Sequence, residues 1–329
     1  MNDRAIGLLD QYEIEVLRTR KGRGAILCDS NRGTLIFKEY QGPKDKLEMQ
    51  ERLLKTVADS GNVPVEQLIR TKEGELSVRG QDGVSYILKT YFEGKECNIL
   101  DIQDCLRGVK TLAVLHRSMN MGAQDICTNW PVFSLEKEYE KHNKELKRVK
   151  KFLKEKSQKN AFEIYLNGEY DYFMEQAFEV AGQLEDFLLP EDGEYLRNSG
   201  IFCHGDYQYH NIIEIPEGQA VINFEKFLMD DQVRDLYLYM RKLLEKSNWS
   251  KELGKRILNA YNEENQLSAR SFVSLYYRLA YPEKFWKIVN FYYNSHKSWV
   301  PGKNLEKIQA VVEQEQAKQD FLTAIFRTV

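Results

Sequence analysis

The sequence predicts an α+β protein in which a small, mostly antiparallel sheet precedes a larger helical region. Two patterns lead there. Residues 12–92 fall into short apolar runs broken by turn residues, whereas from Asp101 onward the apolar period lengthens to that of a helix. A chain of 329 residues with 42% hydrophobic residues is long enough for one large or two medium domains around a sizeable core. The division expected is a sheet unit over 1–93 and a helical unit over 94–329, the chain crossing near Tyr91–Cys97.

The strands of the first unit are expected at "YEIEVLRTR", "GAILCD", "GTLIFKEY" and the hairpin "ELSVRGQDGVSYILKTYF", with Asp82-Gly83 in its turn. One helix interrupts them, "KDKLEMQERLLKTVADSG", with Leu47, Leu54 and Val57 at helical spacing and Gly61 as its C-cap. The helical unit opens with "DIQDCLRGVKTLAVLHRSM", capped by Asp101 and striped by Ile102, Leu106, Val109 and Ala113. A lysine-rich helix lies between Ser134 and Asn160, its glutamates preceding lysines by three and four positions. It reads as a solvated face, the alternative being a contact surface for acidic partners or anionic substrates. Two paired strands, "IFCHGDYQYHNIIEI" and "QAVINFE", break the helical pattern around the turn "PEGQ". The aromatic segment Trp286–Trp299 reads as helix packing.

A formal net charge of −3 with 29% charged residues shows no nucleic-acid footprint. No apolar run approaches the roughly 20 residues of a spanning helix, and the N-terminus lacks the pattern of a secretory signal. The expectation is synthesis in the cytoplasm, with neither a nucleic acid nor a membrane as partner. Five scattered cysteines without a CxxC pair fit a reduced interior better than a disulfide framework.

The chemistry concentrates in "HGDYQYHN". Asp206 and Asn211 leave a strand on a tight turn at a spacing that lets both point into one cavity. The aspartate can accept a hydroxyl proton and the asparagine can offer its carbonyl oxygen to Mg²⁺. Protein kinases carry the same order, H-R-D with an Asn five residues after the Asp, then a strand ending in D-F-G. Lys38 ends the strand "GTLIFK", where it can hold the phosphates of a nucleotide, and Glu48 and Glu51 on the next helix are both able to pair with it. The junction "YILKTYFEG" stands where a hinge strand would meet an adenine.

"HGDYQYHN", then "VINFE" and "DQVRDL", resemble the catalytic loop and I-D-F-E strand of aminoglycoside phosphotransferases and choline kinases. Within that group the sequence resembles the CotS family of bacterial spore-coat proteins. The basic first hairpin "RTRKGRGAILCDSNRGTLIFKEY" and the aromatic "YPEKFWKIVNFYYNSHKSW" extend the resemblance over nearly the whole chain. The resemblance implies a two-lobed protein-kinase-like fold with ATP and Mg²⁺ as cofactors, and spore-coat proteins or a small-molecule acceptor as partners. It implies a spore-coat location, Asp206 as catalytic base, Asn211 as a magnesium ligand, Lys38 on the phosphates and Asp235 bracing the catalytic loop 204–211. Glu225 matches the second acid of I-D-F-E.

The departure is Asn223, on the metal-type strand 220–225, where the principal Mg²⁺-binding Asp is expected. An amide keeps one oxygen but removes a full charge from a cation normally held through one or two carboxylates. In a partly buried cleft that costs on the order of several kcal/mol, or orders of magnitude in rate. The expected result is weak or absent phosphotransfer unless Glu225, Asp230 or Asp231 replaces the missing carboxylate; strand alternation puts residues two apart on the same face, so Glu225 approaches the cleft only if the chain turns favourably. "RTRKGRG" also lacks a G-x-G-x-x-G phosphate cradle. His116 reads as a packed, hydrogen-bonded helix histidine and Cys203 as a small buried strand-end residue. His142, His210 and His296 lack metal-ligand spacing.

Overall fold

Three consecutive strands joined by short turns build the first sheet. In the computed structural model, which describes residues 3–22, 24–122, 130–294 and 301–327, these are β1 (Val16–Gly22), β2 (Ala25–Ser30) and β3 (Gly33–Tyr40). They run antiparallel, with Ala25 opposite Lys38 and Cys28 opposite Leu35. The helix α1 (Lys44–Ser60) follows, ending at Gly61 in the left-handed conformation that glycine adopts without strain. The short β4 (Leu68–Ile69) and β5 (Val78–Arg79) both pair with β6 (Ser85–Thr90), giving the order β1-β2-β3-β6-β4 with β5 beside β6.

One face of this sheet carries Ile26, Cys28, Leu35, Phe37, Tyr86 and Leu88, covered by Leu9 and Tyr12 of the N-terminal segment, whose Asp3–Gln11 form a 3-10 helix. Side chains directly opposite share a face, so the other face presents Ile36, Lys38, Ile87 and Lys89. Two lysines therefore look toward the rest of the molecule.

The second sheet is β7 (Lys95–Glu96), β8 (Ile212–Ile215) and β9 (Gly218–Val221). Around it stand α2 (Ile102–Ser118), α3 (Leu135–Glu155), α4 (Ala161–Phe187), α5 (Asp192–Ser199), α6 (Val233–Lys246), α7 (Lys251–Asn262), α8 (Ala269–Ala280), α9 (Glu283–Asn294) and α10 (Pro301–Ile325). Caps expected from the sequence form: Asp101 accepts from the Gln103 and Asp104 amides. Asn160 and Glu163 form a reciprocal capping box at α4. On α3, Lys144–Glu140 and Lys151–Glu155 pair one turn apart on exposed surface, while Tyr139 stacks on Tyr281 and His142 on Trp286 inside. Arg23, Cys127, His296 and Trp299 lie outside the described residues.

Two expectations need correction. Of the stripe expected on α2, Val109 and Ala113 are buried with Cys105, Leu112 and His116, and Leu106 packs half-buried against the core, but Ile102 is exposed. The strand expected over 220–225 stops at Val221, and Phe224–Lys226 form a 3-10 turn entered through Asn223 at φ 67°, ψ 55°. Among the described residues no helix is long and apolar enough to cross a membrane.

Candidate functional site

Two turns meet at the end of the second sheet. In the first, Cys203 exchanges backbone hydrogen bonds with Leu228 (2.8 and 3.2 Å), and the next residues swing outward through Gly205 at φ 80°. A Cβ on Gly205 would lie 2.0 Å from the Lys226 carbonyl oxygen, so only glycine lets the loop press on the second turn. Asp235, in the first turn of α6, accepts from the amides of His204 (2.6 Å) and Gly205 (2.8 Å). It also meets His116 Nε2 at 3.2 Å, while His116 Nδ1 lies 2.7 Å from the Tyr261 hydroxyl. Burial works against ionisation of Asp235, but His116 and the loop amides outweigh it and hold the carboxyl below its ordinary value. His116 is thus a buried brace one step behind the loop.

His204 is fixed in one tautomer. The Asp206 amide donates to Nδ1 (3.1 Å), so Nε2 carries the proton and donates to the Ile222 carbonyl (2.9 Å). The imidazole therefore ties the first turn to the residue before Asn223. Beyond it, the Asp206 carboxylate accepts from Gln208 Nε2 (2.7 Å) and pairs with Lys226 Nζ (2.8 Å). Asn211 donates through Nδ2 to the Asp206 carbonyl (2.8 Å) and accepts through Oδ1 from Asn223 Nδ2 (2.9 Å). Cys203 is buried and donates its thiol hydrogen to the carbonyls of Asp230 and Asp231; burial drives its pKa well above the ordinary thiol value.

In the second turn, the left-handed Asn223 rotates the chain, so Glu225 does not follow strand alternation. Its carboxylate rises to the lysine face of the first sheet, meeting Lys38 Nζ at 3.0 Å and Lys89 Nζ at 2.7 Å. Lys89, with 1% of its side chain exposed, is paired again by Glu66 at 2.7 Å, and Glu66 also accepts the Phe224 amide. Residues 64–66 are placed for this by backbone pairing with Val221 at the end of β9. Burial would raise the pKa of Glu225, yet the two ammonium groups overcome it and hold the carboxyl at about 2. Lys46 of α1 lies over the Phe227 ring; burial draws its ammonium below the ordinary value while Glu225 opposes.

The structure therefore brings Lys38, Asp206, Asn211, Asn223 and Glu225 together but not the glutamates of α1. Glu51 is held by Arg70 (Nε to Oε1, 2.7 Å) and Glu48 is exposed, so the counter-ion of Lys38 is Glu225. Asp230 is taken by Arg278 (2.8 and 2.9 Å) and Arg234, and Asp231 accepts the Val233 amide at the start of α6. Neither replaces a carboxylate at position 223. Sequence reasoning missed Lys89, Glu66, Lys46 and Lys226. The available signals were a lone lysine inside the apolar "SYILKT" and a lone glutamate inside "VPVEQLI".

This donor set does not fit Mg²⁺ held through carboxylates. The Asn211 oxygen is already used by Asn223, Asp206 is paired with Lys226, and Glu225 is neutralised by two lysines. Among the described residues there is no group of three or more His, Cys, Asp or Glu able to hold a metal ion.

The family model described as "Spore coat putative kinase YutH" matches residues 6–325. The chain belongs to that family. It is also 24% identical over 319 residues to spore coat protein S of Bacillus subtilis (strain 168), covering 92% of this chain and 87% of that protein. Among solved structures it superposes on an aminoglycoside phosphotransferase from Alicyclobacillus acidocaldarius with a TM-score of 0.82 at 18% identity, covering 97% and 94% of the two chains. It superposes on the spectinomycin phosphotransferase APH(9)-Ia, solved with ADP and spectinomycin, with a TM-score of 0.69 at 15% identity, covering 97% and 98%. The fold is that of the aminoglycoside phosphotransferases, a small antiparallel sheet lobe beside a mainly helical lobe.

Proposed function

We propose that this spore-coat kinase-like protein has weak or absent phosphotransferase activity, takes an adenine nucleotide in the cleft between its lobes and acts by binding other coat proteins. The observation that carries the reading is the engagement of Glu225 by Lys38 and Lys89, with Asp230 equally committed to Arg278. The nearby carboxylates that would restore a metal site around Asn223 are spent on protein cations. Nucleotide binding is supported by the lysine face of the first sheet and by the fold's similarity to the phosphotransferase solved with ADP. A coat location is supported by family membership and by the relative in Bacillus subtilis.

A second reading, ATP-dependent transfer to the hydroxyl of a sugar, amino sugar or amino alcohol, is favoured by the retained Asp206 loop. A 760 Å³ cavity walled by α5, α8, Asp230 and Asp231, whose carbonyls accept from the Cys203 thiol one residue before that loop, has room for an acceptor. Measurement of ADP release with panels of such acceptors separates the two. Release at the level of Asp206→Ala is expected; robust release that Asp206→Ala abolishes would establish the second reading.

A further inference from the structure

Asn211 is fixed from both ends. Its Nδ2 donates to the Asp206 carbonyl, which leaves Oδ1 facing position 223 at hydrogen-bond distance. Only the NH₂ end of the Asn223 amide can satisfy that oxygen. An aspartate in the same place would set a carboxylate oxygen against a carbonyl oxygen, two acceptors in contact, an arrangement that needs a cation or a proton between them. The asparagine meets that oxygen with a neutral N–H donor, so no cation or proton is needed between the two side chains.

The surrounding charges agree. Lys38, Lys46, Lys89 and Lys226 face Glu66, Glu225 and Asp206, four ammonium groups against three carboxylates. An aspartate at 223 would bring the balance to zero. With asparagine the cluster keeps one positive charge, and Lys226 is its solvent-facing member, 68% of its side chain being exposed.

We infer that the Asn223–Asn211 hydrogen bond takes the place of a divalent cation, and that the cleft binds nucleoside di- and triphosphates in their metal-free form, with Lys46 and Lys226 as phosphate counter-ions. The proposal rests on the reading of the cleft as a nucleotide site. Mg²⁺ neutralises the phosphate charge that these lysines would otherwise meet, so it weakens binding here. No phosphoryl transfer is involved.

The test is calorimetric titration of the full chain with ATP in excess EDTA and again in excess Mg²⁺, with adenosine as a probe that carries no phosphate. Wild type is expected to bind ATP at least as tightly in EDTA, and Lys46→Ala with Lys226→Ala to lose roughly tenfold in EDTA while adenosine binding is unchanged. Asn223→Asp is expected to reverse the preference, binding ATP at least tenfold more tightly with Mg²⁺. Thermal unfolding without nucleotide gives the second readout. Wild type should be unmoved by millimolar Mg²⁺, whereas Asn223→Asp should melt a few degrees lower in EDTA and recover with Mg²⁺. Wild-type binding that requires Mg²⁺, or an Asn223→Asp protein as stable in EDTA as wild type, would overturn the inference. Failure of ATP and adenosine alike to bind in either buffer would instead remove the nucleotide reading on which it rests, and the inference with it. ADP release enters none of these readouts.

Discussion

Replacing Glu225 by glutamine tests whether this residue is a lysine counter-ion or a metal ligand in waiting. The substitution keeps size and one acceptor oxygen while removing the charge shared by Lys38 and Lys89. A carboxyl held at about 2 in the fold and near its ordinary 4.5 in the unfolded chain stabilises the fold at neutral pH. At roughly 1.4 kcal/mol per pH unit, that gap corresponds to about 3 kcal/mol. Because the folded value is the depressed one, the contribution is complete above about pH 4.5 and is lost as the pH falls toward about 2. Urea unfolding of wild type and Glu225→Gln across this range should therefore give a difference of about 3 kcal/mol at pH 7 that narrows on acidification. Other depressed carboxylates, such as Asp235 and Glu163, occur in both proteins and cancel in the difference. A difference that stays constant with pH would mean that packing, not ionisation, sets the cost. No difference at pH 7 would refute the ion-pair account of Glu225 altogether.

Two further perturbations probe the supports of the same site. Gly205→Ala forces a side chain into a left-handed residue and onto the Lys226 carbonyl, 2.0 Å from the new Cβ. A loss of about 2–4 kcal/mol in unfolding free energy is expected by denaturant titration, and a loss below about 0.5 kcal/mol would show that the two turns are not pressed together. Asp230→Asn removes the charge facing Arg278, which is 3% exposed and bonded through two contacts of 2.8 and 2.9 Å. Breaking a buried pair of this kind is expected to cost about 3–5 kcal/mol, read from the urea midpoint. A near-neutral result would return Asp230 to the list of free carboxylates near the cleft.

What the sequence made legible is what is local. The meander, the Gly61 stop of α1, the Asp101 cap and the H-G-D loop each depend on residues within a few positions of one another, so spacing and turn chemistry are enough to find them. The pairing of Lys89 with Glu66 and Glu225 joins positions 23 and 136 residues apart, and no period or motif carries that information. The path of Glu225 has a narrower cause. Strand alternation ends at Val221, and the favourable turn that Glu225 needs to reach the cleft comes from a single residue in the left-handed region, which redirects the next side chains. The same rotation explains why the glutamates of α1 are not the partners of Lys38: its counter-ion arrives from the turn that follows β9.

That rotation also bears on why asparagine stands at 223. Asparagine and aspartate are the non-glycine residues that most readily take φ 67°, ψ 55°, since their short polar side chains find local partners there. Exchanging one for the other keeps the backbone turn that carries Glu225 to Lys38 and Lys89. Alanine would keep neither the favourable backbone nor the donor to Asn211, and would leave a buried amide oxygen unsatisfied. Asparagine at 223 keeps the left-handed turn and, through it, the lysine pairs of Glu225, and it supplies the donor to Asn211 that an ionised aspartate lacks. It gives up only the negative charge, which makes the architecture of the cleft separable from the chemistry that the fold supports in other proteins.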